Sequence, residues 1–131
     1  MAPVHEPAEF EPIMTTLGRE PGGGLIFPVD PFTYVHAKLI IGLAARFRLP
    51  AIYGFRNFPA AGGLISYGAD QRDLHRKAAS YVDRILRGEK AANLPVQQPT
   101  RFELVIKLKA ARGLGLTIPA SLLARADEVI E

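Results

Sequence analysis

The sequence predicts an α/β domain, a three-layer Rossmann-like sandwich with a mostly parallel sheet and flanking helices. Three observations carry that class. Short apolar runs of strand length alternate with longer stretches whose apolar residues recur at helical spacing, the order that builds βαβ units with right-handed crossovers. The boundaries between them fall on glycine and proline. The composition is that of an ordinary globular chain, with 131 residues of which 48% are hydrophobic and 22% charged. Folding a chain of this length buries about two-thirds of its unfolded surface, enough for a core without covalent staples.

The elements follow in order. Residues 1–21 open with a Pro/Glu-rich stretch expected to fray, then a short helix around Phe10 to Leu17. Pro21-Gly22-Gly23-Gly24 breaks the chain. Leu25 to Val29 is an apolar run of strand length, and Pro28, which has no N–H to donate, places its end. Asp30-Pro31 starts a helix: Asp accepts from the orphan amides, and Pro at the first position loses nothing. Phe32, Val35, Leu39, Leu43 and Phe47 form its expected stripe, and Leu49-Pro50 stops it. Ala51-Ile52-Tyr53 is a buried strand released by Gly54, Phe55 to Ala61 a short turn or single helical turn, and Leu64 to Tyr67 a strand closed by Gly68.

Asp70, with Asp73 three residues on, caps the clearest helix in the chain. Leu74, Ala78, Tyr81, Val82, Ile85 and Leu86 define its expected inner face. Arg84 and Arg87 suit its negative end, and Gly88 follows as the C′ residue. Leu94 to Pro99 is an extended connector, because its two prolines exclude helix and central strand. Phe102 to Ile106 is a strand, Leu108 to Gly113 a short helix, and Pro119 opens a last helix expected to run through Val129. Residues 1–21, 22–93 and 94–131 thus divide into an N-terminal segment, an α/β lobe, and a connector with a strand and C-terminal helices.

Composition also excludes functions. With no cysteine, disulfide scaffolds, thiolate metal sites and cysteine nucleophiles are ruled out. Sixteen Lys+Arg against thirteen Asp+Glu leave a net charge of only +3. Arg72, Arg76, Lys77, Arg84 and Arg87 share one segment and read as a solvated helix face, so no nucleic-acid partner is expected. No apolar run approaches the ~18 residues that span a bilayer. Met1 to Glu11 carries acidic residues and no basic segment before an apolar one, so the sequence as written shows no export signal and would remain cytoplasmic.

Ligands of open α/β sheets bind beyond the carboxyl ends of the strands. The residues there are Asp30, Tyr53 with Gly54, and Ser66-Tyr67-Gly68. Tyrosine rings offer an apolar surface with a polar tip, Ser66 a hydroxyl, and Gly68 an approachable backbone. Plainer roles stand beside these: Asp30 as an N-cap, Tyr53 as core, Ser66-Tyr67-Gly68 as an ordinary strand end. No catalytic constellation emerges. His5, His36 and His75 are scattered and not spaced as a metal pair. Gly22-Gly23-Gly24 precedes a strand, the reverse of a phosphate-cradling loop, and Ser66 lacks the Gly-x-Ser-x-Gly elbow.

The segments "LPAIYGFRNFPAAGGLISYG" and "AASYVDRILRGEKAANLPVQQPTRFELVIKLKAARGLGLTIPASLLARADEVIE" resemble the C-terminal part of ABC-transporter substrate-binding proteins of the tryptophan/tyrosine-type uptake family. The Gly-Gly-Leu-x-Ser-Tyr-Gly and Leu-Pro-Val-x-Gln-Pro-Thr-x-Phe-Glu-Leu-Val-Ile runs carry the likeness. It covers Leu49 to Glu131 strongly and Phe27 to Phe47 more loosely. Departures are Lys107 where the family has Asn, and Ile65 and Gln97 where it commonly has Met and Glu.

The resemblance implies one lobe, or part of one, of a periplasmic binding protein of the first structural type, with two doubly wound lobes around a ligand cleft. It implies a small-molecule solute such as an amino acid, an ABC permease as partner in the full-length context, a periplasmic location, no cofactor and no enzymatic activity. Asp30, Tyr53, Ser66, Tyr67 and Gly68 become the cleft residues. Family members run considerably longer and carry a signal sequence, so a remnant that binds no solute and survives as a self-associating domain is the competing expectation. A homodimer that exchanges the Phe102 strand and C-terminal helix would cover apolar surface on that segment.

Overall fold

The computed structural model describes residues 4–131, and the part of the N-terminal expectation that falls on residues 1–3 lies outside them. Alternation of strands and helices dominates. A 3-10 turn at Pro7–Glu9 leads into α1 (Phe10–Leu17), β1 (Leu25–Phe27), α2 (Pro31–Val35), α3 (Ala37–Arg46), β2 (Ala51–Tyr53), α4 (Asn57–Ala60) and β3 (Ile65–Ala69). Then come α5 (Gln71–Leu86), a 3-10 turn at Ala91–Asn93, β4 (Phe102–Lys107), α6 (Leu108–Gly113), α7 (Ala120–Leu123) and β5 (Glu128–Ile130). The five strands form one sheet in the order β1-β2-β3-β4-β5.

β1, β2 and β3 are parallel, with Phe27 opposite Tyr53 and Tyr53 opposite Ser66. β4 and β5 are also parallel to each other. At one end of the β3–β4 pair the Lys107 N–H donates to the Leu64 carbonyl, and at the other the Asp70 N–H donates to that of Arg101. Numbers that fall along one strand while rising along the other mean antiparallel pairing, so the sheet is mixed.

The chain divides into two compact units. The larger comprises residues 4–68 and 103–131. Its core gathers Phe10 and Met14 of α1, Ile40, Leu43 and Ala44 of α3, Leu49, Ala51 and Tyr53, and Phe58 of α4. The N-terminal helix therefore belongs to the core, because its apolar residues at i and i+4 lie on one face. Register partners share a face of a parallel sheet, so Leu25, Ala51, Phe27 and Tyr53 line the covered side and Ile26, Ile52 and Ile65 form a row on the other. Ile26 is 80% exposed there.

The smaller unit, residues 69–102, is α5 with the connector laid along it. Asp70 caps the helix by accepting from the Arg72 and Asp73 amides. Tyr81 donates its hydroxyl to the Pro95 carbonyl and Lys77 donates to the Thr100 hydroxyl. The basic residues of α5 have carboxylates of their own: Asp73 for Arg76 and Lys77, Glu89 for Arg84, Asp83 for Arg87.

Three expectations are corrected. The helix from Pro31, capped by Asp30 through the Thr33 amide, breaks at His36 (φ −96°, ψ 17°). The break resets the phase: Ala37, Ile40, Leu43 and Ala44 are buried, while Val35 and Leu39 are 75% and 41% exposed. The face predicted to be buried on α5 is open, with Val82 55% and Leu86 82% exposed. The helix from Pro119 ends after one turn, and residues 128–130 become a strand. Asp127 fixes that change by exchanging backbone and carboxylate bonds with Leu104, which sets β-branched Val129 and Ile130 beside β4. Within the one chain described, β5 pairs with β4, and Val105 and Ile106 are 1% and 0% exposed.

Candidate functional site

The carboxyl ends of three parallel strands bring Val29-Asp30, Gly54-Phe55 and Tyr67-Gly68 to one edge of the sheet. The packing there is unusually close. A Cβ added to Gly68 would lie 2.1 Å from the Gly54 carbonyl oxygen, so β2 and β3 meet backbone to backbone where any side chain would part them. The Gly54 N–H donates to the Phe27 carbonyl at 2.9 Å, tying the end of β2 to β1.

The five residues singled out in the sequence fare differently. Asp30 is half-buried and caps α2, one carboxylate oxygen accepting from the Thr33 amide at 2.9 Å. Tyr67 is 55% exposed beside Gly68 and presents its ring to solvent. Tyr53 and Ser66 face inward. Tyr53 is 1% exposed, stacked between Phe27 and Phe58 with ring centroids 5.5 and 4.4 Å away, and burial raises its phenol pKa well above the ordinary value. The Ser66 hydroxyl is sealed beside it with no hydrogen-bond partner. These two residues support the edge from beneath and offer it only their backbone.

Three further residues belong to this edge. Tyr34 is 51% exposed and meets the Phe55 ring edge-on at 5.2 Å, so the surface is more aromatic than Tyr67 alone implies. Arg56, just beyond β2, pairs with Glu103 of β4 and Glu128 of β5. No local pattern foretells that triad, because Arg56 and Glu128 are 72 positions apart. Arg56 is the N-cap residue of the single-turn helix α4.

Among the described residues no group of three or more His, Cys, Asp or Glu side chains converges as a metal site, and no helix is long and apolar enough to cross a membrane. The edge offers ring faces, one partly committed carboxylate and strand-end backbone, at the position where open α/β sheets hold their ligands.

Comparison with known proteins agrees. The model of the ABC transporter substrate binding protein family matches residues 3–130, and the chain belongs to that family. Its structure superposes on a conserved domain protein from Vibrio cholerae with a TM-score of 0.86 at 26% identity, covering 98% of this chain and 43% of the other. An ABC domain from Streptococcus pneumoniae crystallised in complex with L-Trp gives 0.84 at 27% identity, covering 97% and 44%. The open, ligand-free form of a Clostridium difficile substrate binding protein with adhesive properties shares the fold alone, at a TM-score of 0.65 and 18% identity, over 97% of this chain and 42% of the other. The chain thus spans less than half the length of these neighbours. No curated protein sequence matches it.

Proposed function

We propose that the chain supplies one wall of the solute cleft in a substrate-binding protein of an ABC-type importer, and that the solute is an amino acid or a similar small aromatic molecule. The observation that carries this reading is the convergence of exposed rings and open backbone at the ends of β1, β2 and β3, in a chain of the substrate-binding family. The structural neighbour in complex with L-Trp points to the same ligand class. In this reading Tyr67 packs on the apolar body of the solute. Asp30 offers its second carboxylate oxygen to an ammonium, and the backbone of Ser66 and Gly68 approaches the polar end. Tyr53 and the Ser66 side chain hold the floor. The role is binding without catalysis, with a permease as partner and the periplasm as location.

Thermal unfolding in the presence of L-Trp, L-Tyr and a set of aliphatic and charged amino acids tests it. A ligand held at 100 times its dissociation constant adds about 2.7 kcal/mol, a shift of several degrees. Tyr67→Ala should abolish the shift. A flat response to every solute, or an undiminished one in Tyr67→Ala, refutes the proposal.

One observation favours self-association as a second reading. On α5 alone, Val82, Ile85 and Leu86 are 55%, 44% and 82% exposed along one face, an apolar stripe of the kind that interfaces cover. Light scattering distinguishes the two: a dimer at micromolar concentration supports the homo-oligomer, and a non-aggregating monomer removes it.

A further inference from the structure

At the opposite end of the sheet, where β2 and β3 begin and β4 finishes, the larger unit holds a cavity of about 460 Å³. Its volume lies within the roughly 300–1,000 Å³ of small-molecule sites. The space exists because its walls are short. Ala44 and Ala45 of α3, Ala60 and Ala61 at the end of α4, and Ala110 of α6 face it, where larger side chains would close it.

Two lysines give this apolar space its charge. Lys107 and Lys109 both line it, no Asp or Glu does, and neither lysine side chain has an ion-pair or hydrogen-bond partner among the described residues. The Tyr53 ring also lines it, passing so close to Gly63 that a Cβ there would lie 2.7 Å from Cε2. Two unpaired cations beside an alanine-walled space complement an anion with an apolar tail. An ammonium and a carboxylate brought together out of bulk water attract more strongly than at an open surface.

We propose that this cavity is a second small-molecule site, separate from the strand-end edge, for an amphipathic carboxylate. Its tail lies among the alanines and its head group meets Lys107 and Lys109. Lys107 is also where the sequence departs from the asparagine of the family it resembles.

The test is a titration of the whole chain with octanoate, followed by amide chemical shifts and calorimetry, with octan-1-ol as the uncharged control. Saturable shifts confined to residues 44–49, 60–64 and 107–114 are expected. Octan-1-ol and the double variant K107Q/K109Q should each bind about tenfold more weakly, a difference of about 1.4 kcal/mol. K107R/K109R should retain binding. Ala45→Phe, at an exposed position of α3, should block the cavity without lowering the unfolding midpoint, and Tyr67→Ala should leave octanoate affinity unchanged. Equal affinity for octanoate and octan-1-ol, no loss in K107Q/K109Q, or shifts spread over exposed residues such as Val82 and Leu86 would overturn the proposal.

Discussion

Replacing Gly68 by alanine tests the close strand contact on which the candidate binding edge rests. The new methyl carbon would stand 2.1 Å from the Gly54 carbonyl oxygen and 3.0 Å from its carbonyl carbon. Carbon–oxygen contacts between strands are ordinarily about 3.3 Å or longer, so the ends of β2 and β3 must part by about 1 Å. Both partners are backbone, and no rotamer change relieves the overlap. Forced shifts of this kind in packed regions cost about 1–3 kcal/mol. In urea, with a slope of about 1–3 kcal/mol per molar, the midpoint should fall by on the order of 1 M. Gly42→Ala is the internal control. Gly42 lies within α3 with nothing within 4 Å of the added carbon, so there alanine should stabilise by about 0.5–1 kcal/mol through helix propensity. The same chemical change is thus expected to act with opposite signs at two sites. A Gly68→Ala midpoint equal to wild type would refute the close approach, and with it the account of why this edge carries glycine.

Ser66→Ala removes a sealed hydroxyl that has no partner; thermal unfolding should show a change between zero and about 1 kcal/mol of gain, and a clear loss would mean the hydroxyl is hydrogen-bonded. Val105→Ala, at 1% exposure, should cost about 1–3 kcal/mol, whereas Val82→Ala, at 55%, should cost less than about 0.5. Reversed midpoints in denaturant would contradict these burial assignments. Arg48 holds φ at 53° just past α3, so Arg48→Gly should raise the melting temperature by the equivalent of about 0.5–1 kcal/mol. Burial of Asp70 alone would raise its pKa, but the Asp73 and Arg72 amides and the charges of Arg101 and Arg72 hold it below the ordinary carboxylate value. A pKa depressed on folding stabilises fully above the unfolded value of about 3.9 and is lost as pH falls through the folded one. Circular dichroism should therefore show an acid limb in α5 helix content that Asp70→Asn flattens, and an unaltered limb would exclude Asp70 as its source.

What the sequence makes legible is what neighbours in the chain decide among themselves. Asp70 accepts from amides two and three residues away, and Pro28 ends β1 for lack of a donor, so both are readable from a few letters. The end of β2 at Tyr53 is readable too, because Gly54 marks it, whereas β3 runs on through Gly68 to Ala69 past the end its glycine suggested. The direction of the side chains is not readable. Tyr53 and Tyr67 look alike as strand-end tyrosines, yet one is 1% and the other 55% exposed, a difference set by the two-residue alternation of β2 and β3 against their register. The Arg56–Glu103–Glu128 triad is invisible for a related reason: its members meet only after the sheet has assembled.

The amphipathic helices separate the two kinds of information. α3 and α5 both carry an apolar stripe, and the stripe establishes that each is a helix with a face suited to burial. On α3 that face meets α1 and β2, and Ile40 is 0% exposed. On α5 no residue is buried at all. Periodicity is a property of the segment, whereas burial is a property of whatever the rest of the fold brings against it. The open stripe of α5 and the closed one of α3 therefore differ in surroundings and not in sequence pattern.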